Sequence, residues 1–177
     1  LAEEAAPRLT GPDQVRWLNR IHAEQDNLRV VLERADERSA RVAAAVWWFW
    51  LQFGHIVEGD RWVQASLVQA PSLDPGVHVG LFRGAARLAT AVDERDRALV
   101  HVEEAIATAA ALGSPHLQAG IAEDEALRAR LLADAGQSTA AASALTRARE
   151  LARSSADTWT GAMVEHQAAV VARRYGR

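Results

Sequence analysis

Arg41-Val42-Ala43-Ala44-Ala45-Val46-Trp47-Trp48-Phe49-Trp50-Leu51-Gln52-Phe53-Gly54 is the stretch whose reading decides the fold. Val42, Val46, Phe49 and Phe53 fall on one stripe at helical spacing, with Trp50 flanking it. The opposite face carries Ala44, Trp47, Trp48 and Leu51, so it is apolar too. A helix apolar all round is buried on several sides. The stretch therefore predicts the central layer of a helical stack, with a helix over 26–37 on one side and one over 56–70 on the other. A second reading gives Trp47 or Trp48 to a groove as an anchor for a partner or ligand, because Trp is enriched at binding hot spots. The apolar run is too short to cross a membrane and contains Gln52.

Outward from this helix the chain reads as all-α. Alanine, Leu, Arg and Glu dominate, and all favour helix. Period-2 alternation barely occurs, Val77-His78-Val79 being its longest trace. The prolines, at 7, 12, 71, 75 and 115, can all sit at helix starts or in connections. Residues 2–9 resemble a helix tail. Asp13 caps a helix carrying Val15, Trp17, Leu18 and Ile21. Asp26 caps one presenting Leu28, Val31, Leu32 and Ala35, and Ser39 caps the helix of 40–53, which Gly54 stops. Pro71 to Gly76 is the clearest loop. Helices are predicted near 56–70, 77–91, 95–112, 115–135, 138–153 and 158–174.

The helices come in pairs that resemble one another. With Gly54, Asp93 and Gly136 aligned as the turn inside each pair, Gly59, Ala98 and Ala141 coincide. So do Val63, Val102 and Leu145, and then Ser66, Ala105 and Ala148. The spacings are 39 and then 43 residues, longer than a strict tetratricopeptide unit. Small residues at shared positions let the second helix of a pair approach the first. Such pairs bury their apolar faces by stacking. The expected fold is all-α: antiparallel helix pairs stacked as a tetratricopeptide-like right-handed α-solenoid. Residues 1–37 are lead-in helices after a missing upstream module, and 38–177 are the repeats, in one continuous stack with 1–37.

Composition closes off several kinds of chemistry. The 177 residues include 20 cations, every one of them Arg, against 23 acids, for a net charge of −3. Without Lys no complete Walker A loop exists. Without Cys there is no disulfide, thiolate nucleophile or Cys-ligated zinc. A mildly acidic chain is a poor binder of phosphate backbones. His22, His55, His78, His101, His116 and His166 form no HExxH or ExxH pattern, and no GxSxG is present. The i,i+3 pairs His55 with Glu58 and His101 with Glu104 match chance pairing on polar helix faces. Asp93-Glu94-Arg95-Asp96 and Glu123-Asp124-Glu125 read as helix N-terminal charges and solvated faces. Arg147, Arg149, Arg153, Arg173, Arg174 and Arg177 make the last third cationic, complementing helix C-termini or meeting an acidic partner. The acidic start of the chain is not a signal peptide. Its first residue, Leu1, reads as the start of an excised piece, and the expected compartment is the cytoplasm.

One stretch is less generic. Trp17-Leu18-Asn19-Arg20 leads to Glu24-Gln25-Asp26-Asn27-Leu28-Arg29, then to the Trp helix and to Gly54-His55-Ile56-Val57-Glu58-Gly59-Asp60-Arg61-Trp62. This resembles the segment that follows the nucleotide-binding (NB-ARC) and winged-helix parts of large bacterial signal-transduction ATPases, transcription regulators often of LuxR type. There a W-L-x-R…E-x-D-N-L-R signature leads into a Trp-rich helix and a G-x-x-x-E-G-x-x-W turn, with tetratricopeptide-like repeats following. The likeness is specific over about 10–70 and generic over 77–177. Asp93-Glu94 departs from it, standing where a Gly-Asp turn is usual.

The resemblance implies a non-catalytic sensor or interaction domain of an ATP-dependent transcription regulator. It would bind a protein partner or small inducer and control ATPase and DNA-binding modules elsewhere in the same polypeptide. No cofactor is expected in this chain, ATP and Mg belonging to the missing part, and neither nucleic-acid nor membrane contact is expected. The alternatives are a free-standing tetratricopeptide-like adaptor and an all-α enzyme. The candidate partner or ligand surface is Trp47, Trp48, His55 and Arg61, with no catalytic or metal-binding residue expected.

Overall fold

A computed structural model describes residues 1–68, 73–114 and 117–175, and among these the chain is all-α: ten α-helices, one 3-10 turn and no strand. No helix among the described residues is long and apolar enough to cross a membrane. The chain divides into two compact units, Leu1–Glu94 and Arg95–Arg177.

The first unit holds α1 (Ala2–Ala5), which runs into a 3-10 turn at Ala6–Arg8, then α2 (Gln14–Ala23), α3 (Gln25–Leu32), α4 (Glu37–Phe53), α5 (Ile56–Val68) and α6 (Pro75–Ala91). The Trp helix α4 is its centre, packed against α1, α2, α3, α5 and α6. Ala40, Ala43, Val46 and Phe49 are fully buried and Trp50 nearly so, whereas Phe53 is 37% exposed. The buried face is therefore rotated toward Trp50 relative to the expected stripe. Gly54, at φ 74°, ends the helix directly after Phe53. This leaves the Phe53 ring at the chain reversal, where His22 stacks on it at 4.9 Å.

The cap of α4 is Asp36, not Ser39. The Ser39 N–H donates to the Asp36 carboxylate at 2.9 Å, and the Asp36 N–H donates to the Ser39 hydroxyl at 3.0 Å. This reciprocal box satisfies two backbone donors where Ser39 alone would satisfy one. Asp26 is not a cap either. A single residue, Glu24, separates α2 from α3, so Asp26 already lies in the first turn and its side chain turns to Arg29 at 3.2 Å. Asp13 holds the N-cap position of α2 without a side-chain bond. Pro75 opens α6 two residues earlier than expected, and the Asp74 carboxylate accepts from the Gly76 N–H at 2.8 Å. Pro71 and Ser72 of the predicted loop, and Pro115 and His116, lie outside the described residues.

The second unit comprises α7 (Arg95–Leu112), α8 (Gln118–Asp134), α9 (Ser138–Ser155) and α10 (Thr158–Arg174). Its centre is α8, packed against α7, α9 and α10. The core is built from small side chains. Ala122, Ala126, Ala148 and Ala152 surround Val164, while Ala129, Ala133, Ala141 and Ala144 surround Leu132 and Val171. Glu123-Asp124-Glu125 is not a solvated face: Asp124 and Glu125 are buried. A central helix has little outer face, and arginine makes the burial tolerable. Glu125 lies between Arg128 (3.4 Å) and Arg147 (3.2 Å), and Arg128 also reaches Glu103 on α7. Glu123 accepts from the Thr160 hydroxyl of α10 at 3.2 Å.

The aligned turn residues share a backbone state. Gly54, Asp93 and Gly136 have φ of 74°, 62° and 77°. At the last two the helix closes identically, the Glu94 N–H donating to Ala89 and the Gln137 N–H to Leu132, both at 2.9 Å. Gly59, Ala98 and Ala141 are all buried. Within the first unit α6 lies against both α4 and α5, and within the second α10 lies against both α8 and α9.

Candidate interaction surface

The two halves of the signature meet. Arg29, which closes the first half on α3, forks onto Glu58 on α5, with Nε to Oε1 at 2.7 Å and a terminal nitrogen to Oε2 at 3.0 Å. Bidentate pairs of this kind are geometrically specific. Asp26 braces the same guanidinium, and the Asn27 amide donates to Glu24 at 2.6 Å. Hydrogen bonding from Arg29 holds the Glu58 carboxyl below the usual carboxylate range, against the opposing effect of burial. The fork ties α3 to α5 through the Glu58 carboxylate. Beside it Gly59 lets α5 close on α4: a Cβ there would stand 2.7 Å from the Trp50 Cβ.

The four candidate surface residues are engaged in different places. Trp47 and Trp48 meet edge to face at 5.4 Å, both partly buried. Trp47 lies under α6, where a Cβ on Gly84 would come within 2.8 Å of the Trp47 Cβ, and Arg87 sits 5.2 Å from its ring centre. His55 packs on Phe49 at 5.9 Å. Arg61, exposed on α5, lies over Trp62 at 4.5 Å. The ring contacts join Trp47 to Trp48, while His55 and Arg61 have other neighbours.

No family model, curated protein or solved structure matches this chain.

The glycine face of α6 was missed in the sequence. Gly76, Gly80 and Gly84 recur every four residues, a spacing that marks one helix face. Gly80 meets Ala44 and Gly84 meets Trp47, so these two glycines seat α6 on the Trp helix. The cationic run of the second unit is partly taken up in ion pairs, and Arg153 adds to the positive field on Glu165. Arg147 pairs with Glu125, Arg149 with Glu165, and Arg174 lies 3.9 Å from Asp134. Among the described residues Arg153 and Arg173 carry no ion pair.

Proposed function

We propose that the chain is a non-catalytic sensor or interaction domain of an ATP-dependent bacterial transcription regulator, built of tetratricopeptide-like helix pairs stacked as a right-handed α-solenoid. The supporting observation is the Arg29–Glu58 fork. It joins the two parts of the signature that resembles that family, across 29 residues of sequence. In this reading the signature is a structural clasp at the start of the repeats. Nucleotide and DNA chemistry belong to other parts of the polypeptide, and the helical part acts by shifting populations. A partner or inducer switches it only by binding one arrangement better than another.

Reading the gene upstream of Leu1 tests this directly. A Gly-rich phosphate loop carrying Lys supports the regulator, and its absence leaves the free-standing adaptor. Calorimetric titration of the 177-residue chain with Mg-ATP is expected to show no specific heat; micromolar affinity would overturn the assignment of nucleotide chemistry to another part. Added in trans, the chain is expected to change the ATPase rate of the nucleotide-binding part.

A further inference from the structure

The helix α3 is thinly rooted in the core. Of its eight residues Leu32 is buried, Leu28 is partly buried and Val30 is 64% exposed. On either side of it α2 buries Trp17, Leu18 and Ile21, and α4 buries Ala40, Ala43, Val46, Phe49 and Trp50. Segments with few buried apolar contacts open locally at low free-energy cost. The joint that follows α3 is strained. Ala35 lies at φ 50°, a left-handed conformation in which a Cβ crowds the carbonyl oxygen. Glycine occupies that conformation after α4 and α8, at Gly54 and Gly136. Charge holds α3 in place. Arg29 forks onto Glu58 of α5 at 2.7 and 3.0 Å, with the two side chains 42% and 22% exposed. A bidentate pair is stronger than a single charged contact. The Ser39 hydroxyl of α4 also donates to the Val31 carbonyl at 2.9 Å.

We propose that α3 is a latch. It closes on α4 and α5 through the Arg29–Glu58 fork, and it opens as a unit about Ala35 while α4 stays folded. In the open form Ala35 relaxes to negative φ, and Glu58 and the part of α4 that α3 covers become accessible. The latch is a property of the chain alone, so it goes beyond the regulator reading and is tested without any partner.

The test is hydrogen exchange of the whole chain, read by mass spectrometry over Gln25–Leu32 and over 40–53 and corrected for intrinsic rates. At neutral pH the amides of α3 are expected to exchange at least about fivefold faster than those of α4. Glu58→Gln should speed α3 at least about fivefold further and leave α4 near its wild-type rate. Raising the salt concentration should also speed α3, because a part-exposed pair is screened. Ala35→Gly should act in the opposite sense and slow α3, since glycine holds φ 50° without strain. Ala156→Gly makes the same relief at φ 54° beyond α9 and should leave α3 unchanged. Circular dichroism confirms that each variant folds. Equal exchange in α3 and α4, a Glu58→Gln effect shared by both, or α3 exchange indifferent to salt overturns the latch. So does faster α3 exchange in Ala35→Gly, or slowing of α3 by Ala156→Gly, which would make the opening global. If Glu58→Gln does not fold, the salt series and Ala35→Gly decide.

Discussion

Phe49 has no solvent exposure and touches three rings: His22 at 6.2 Å, Phe53 at 4.9 Å and His55 at 5.9 Å. Phe49→Ala is expected to cost about 3–5 kcal/mol in urea unfolding. Trp48→Ala should cost less, because its ring is only partly buried. Charge acts beside this packing. Asp36, Glu58, Asp157 and Glu165 are all held below the usual carboxylate range, chiefly by hydrogen bonds from Ser39, Arg29, Thr160 and Arg149 respectively. A carboxyl with a lowered folded pKa binds its proton less readily when folded than when unfolded. Its stabilisation is complete above the ordinary value, about 4, and is lost as pH falls through the lower folded value. Urea midpoints should therefore drop between neutrality and about pH 3. The gap between wild type and Glu58→Gln should close over the same range, and a gap that stays constant would mean that the Glu58 charge contributes nothing.

Two helices were legible end to end, since the sequence predicts 95–112 and 158–174 and the helices span Arg95–Leu112 and Thr158–Arg174, whereas α3, α4 and α6 begin two or three residues before the expected starts. What a helix buries depends on its neighbours. The phase of α4 moved toward Trp50 because Gly59 on α5 leaves room for that indole, and Gly84 on α6 does the same for Trp47. Asp124 and Glu125 looked solvated because nothing in their own helix says that three others surround it. The Arg29–Glu58 fork hid for the same reason, although both residues stood out in the signature. The glycines that set these approaches respond in opposite ways to one methyl group. Gly59→Ala and Gly84→Ala place a Cβ 2.7 and 2.8 Å from a Trp Cβ, which the helix backbone fixes in place. Each should cost about 1–3 kcal/mol. Gly161→Ala, inside α10 with nothing within 4 Å of its Cβ, should stabilise by about 0.5–1 kcal/mol. Thermal melts of the three variants check this, and a common sign for all three would refute the close-approach argument.

Across the whole molecule the large side chains are unevenly shared. Trp17, Trp47, Trp48, Trp50 and Trp62 belong to the first unit, and the second has Trp159 alone. Tryptophan emission therefore reports mainly the first unit, while far-ultraviolet circular dichroism reports helices in both. The second unit buries mostly methyl groups, and hydrophobic stabilisation scales with apolar area at about 25 cal/mol per Å². In urea the dichroism signal is expected to fall before the emission changes, whereas coincident curves would make the two units equally stable or a single cooperative body. The alanine core also inverts the usual logic of mutagenesis. At Ala122, Ala126, Ala141 and Ala148, all without solvent exposure, the standard truncating scan returns the wild-type residue and would report a stretch of chain indifferent to change. Information lies in the other direction, because each added carbon must push two backbones apart. Natural variation at these sites should thus be bounded from above in size, with glycine and serine tolerated where valine is not.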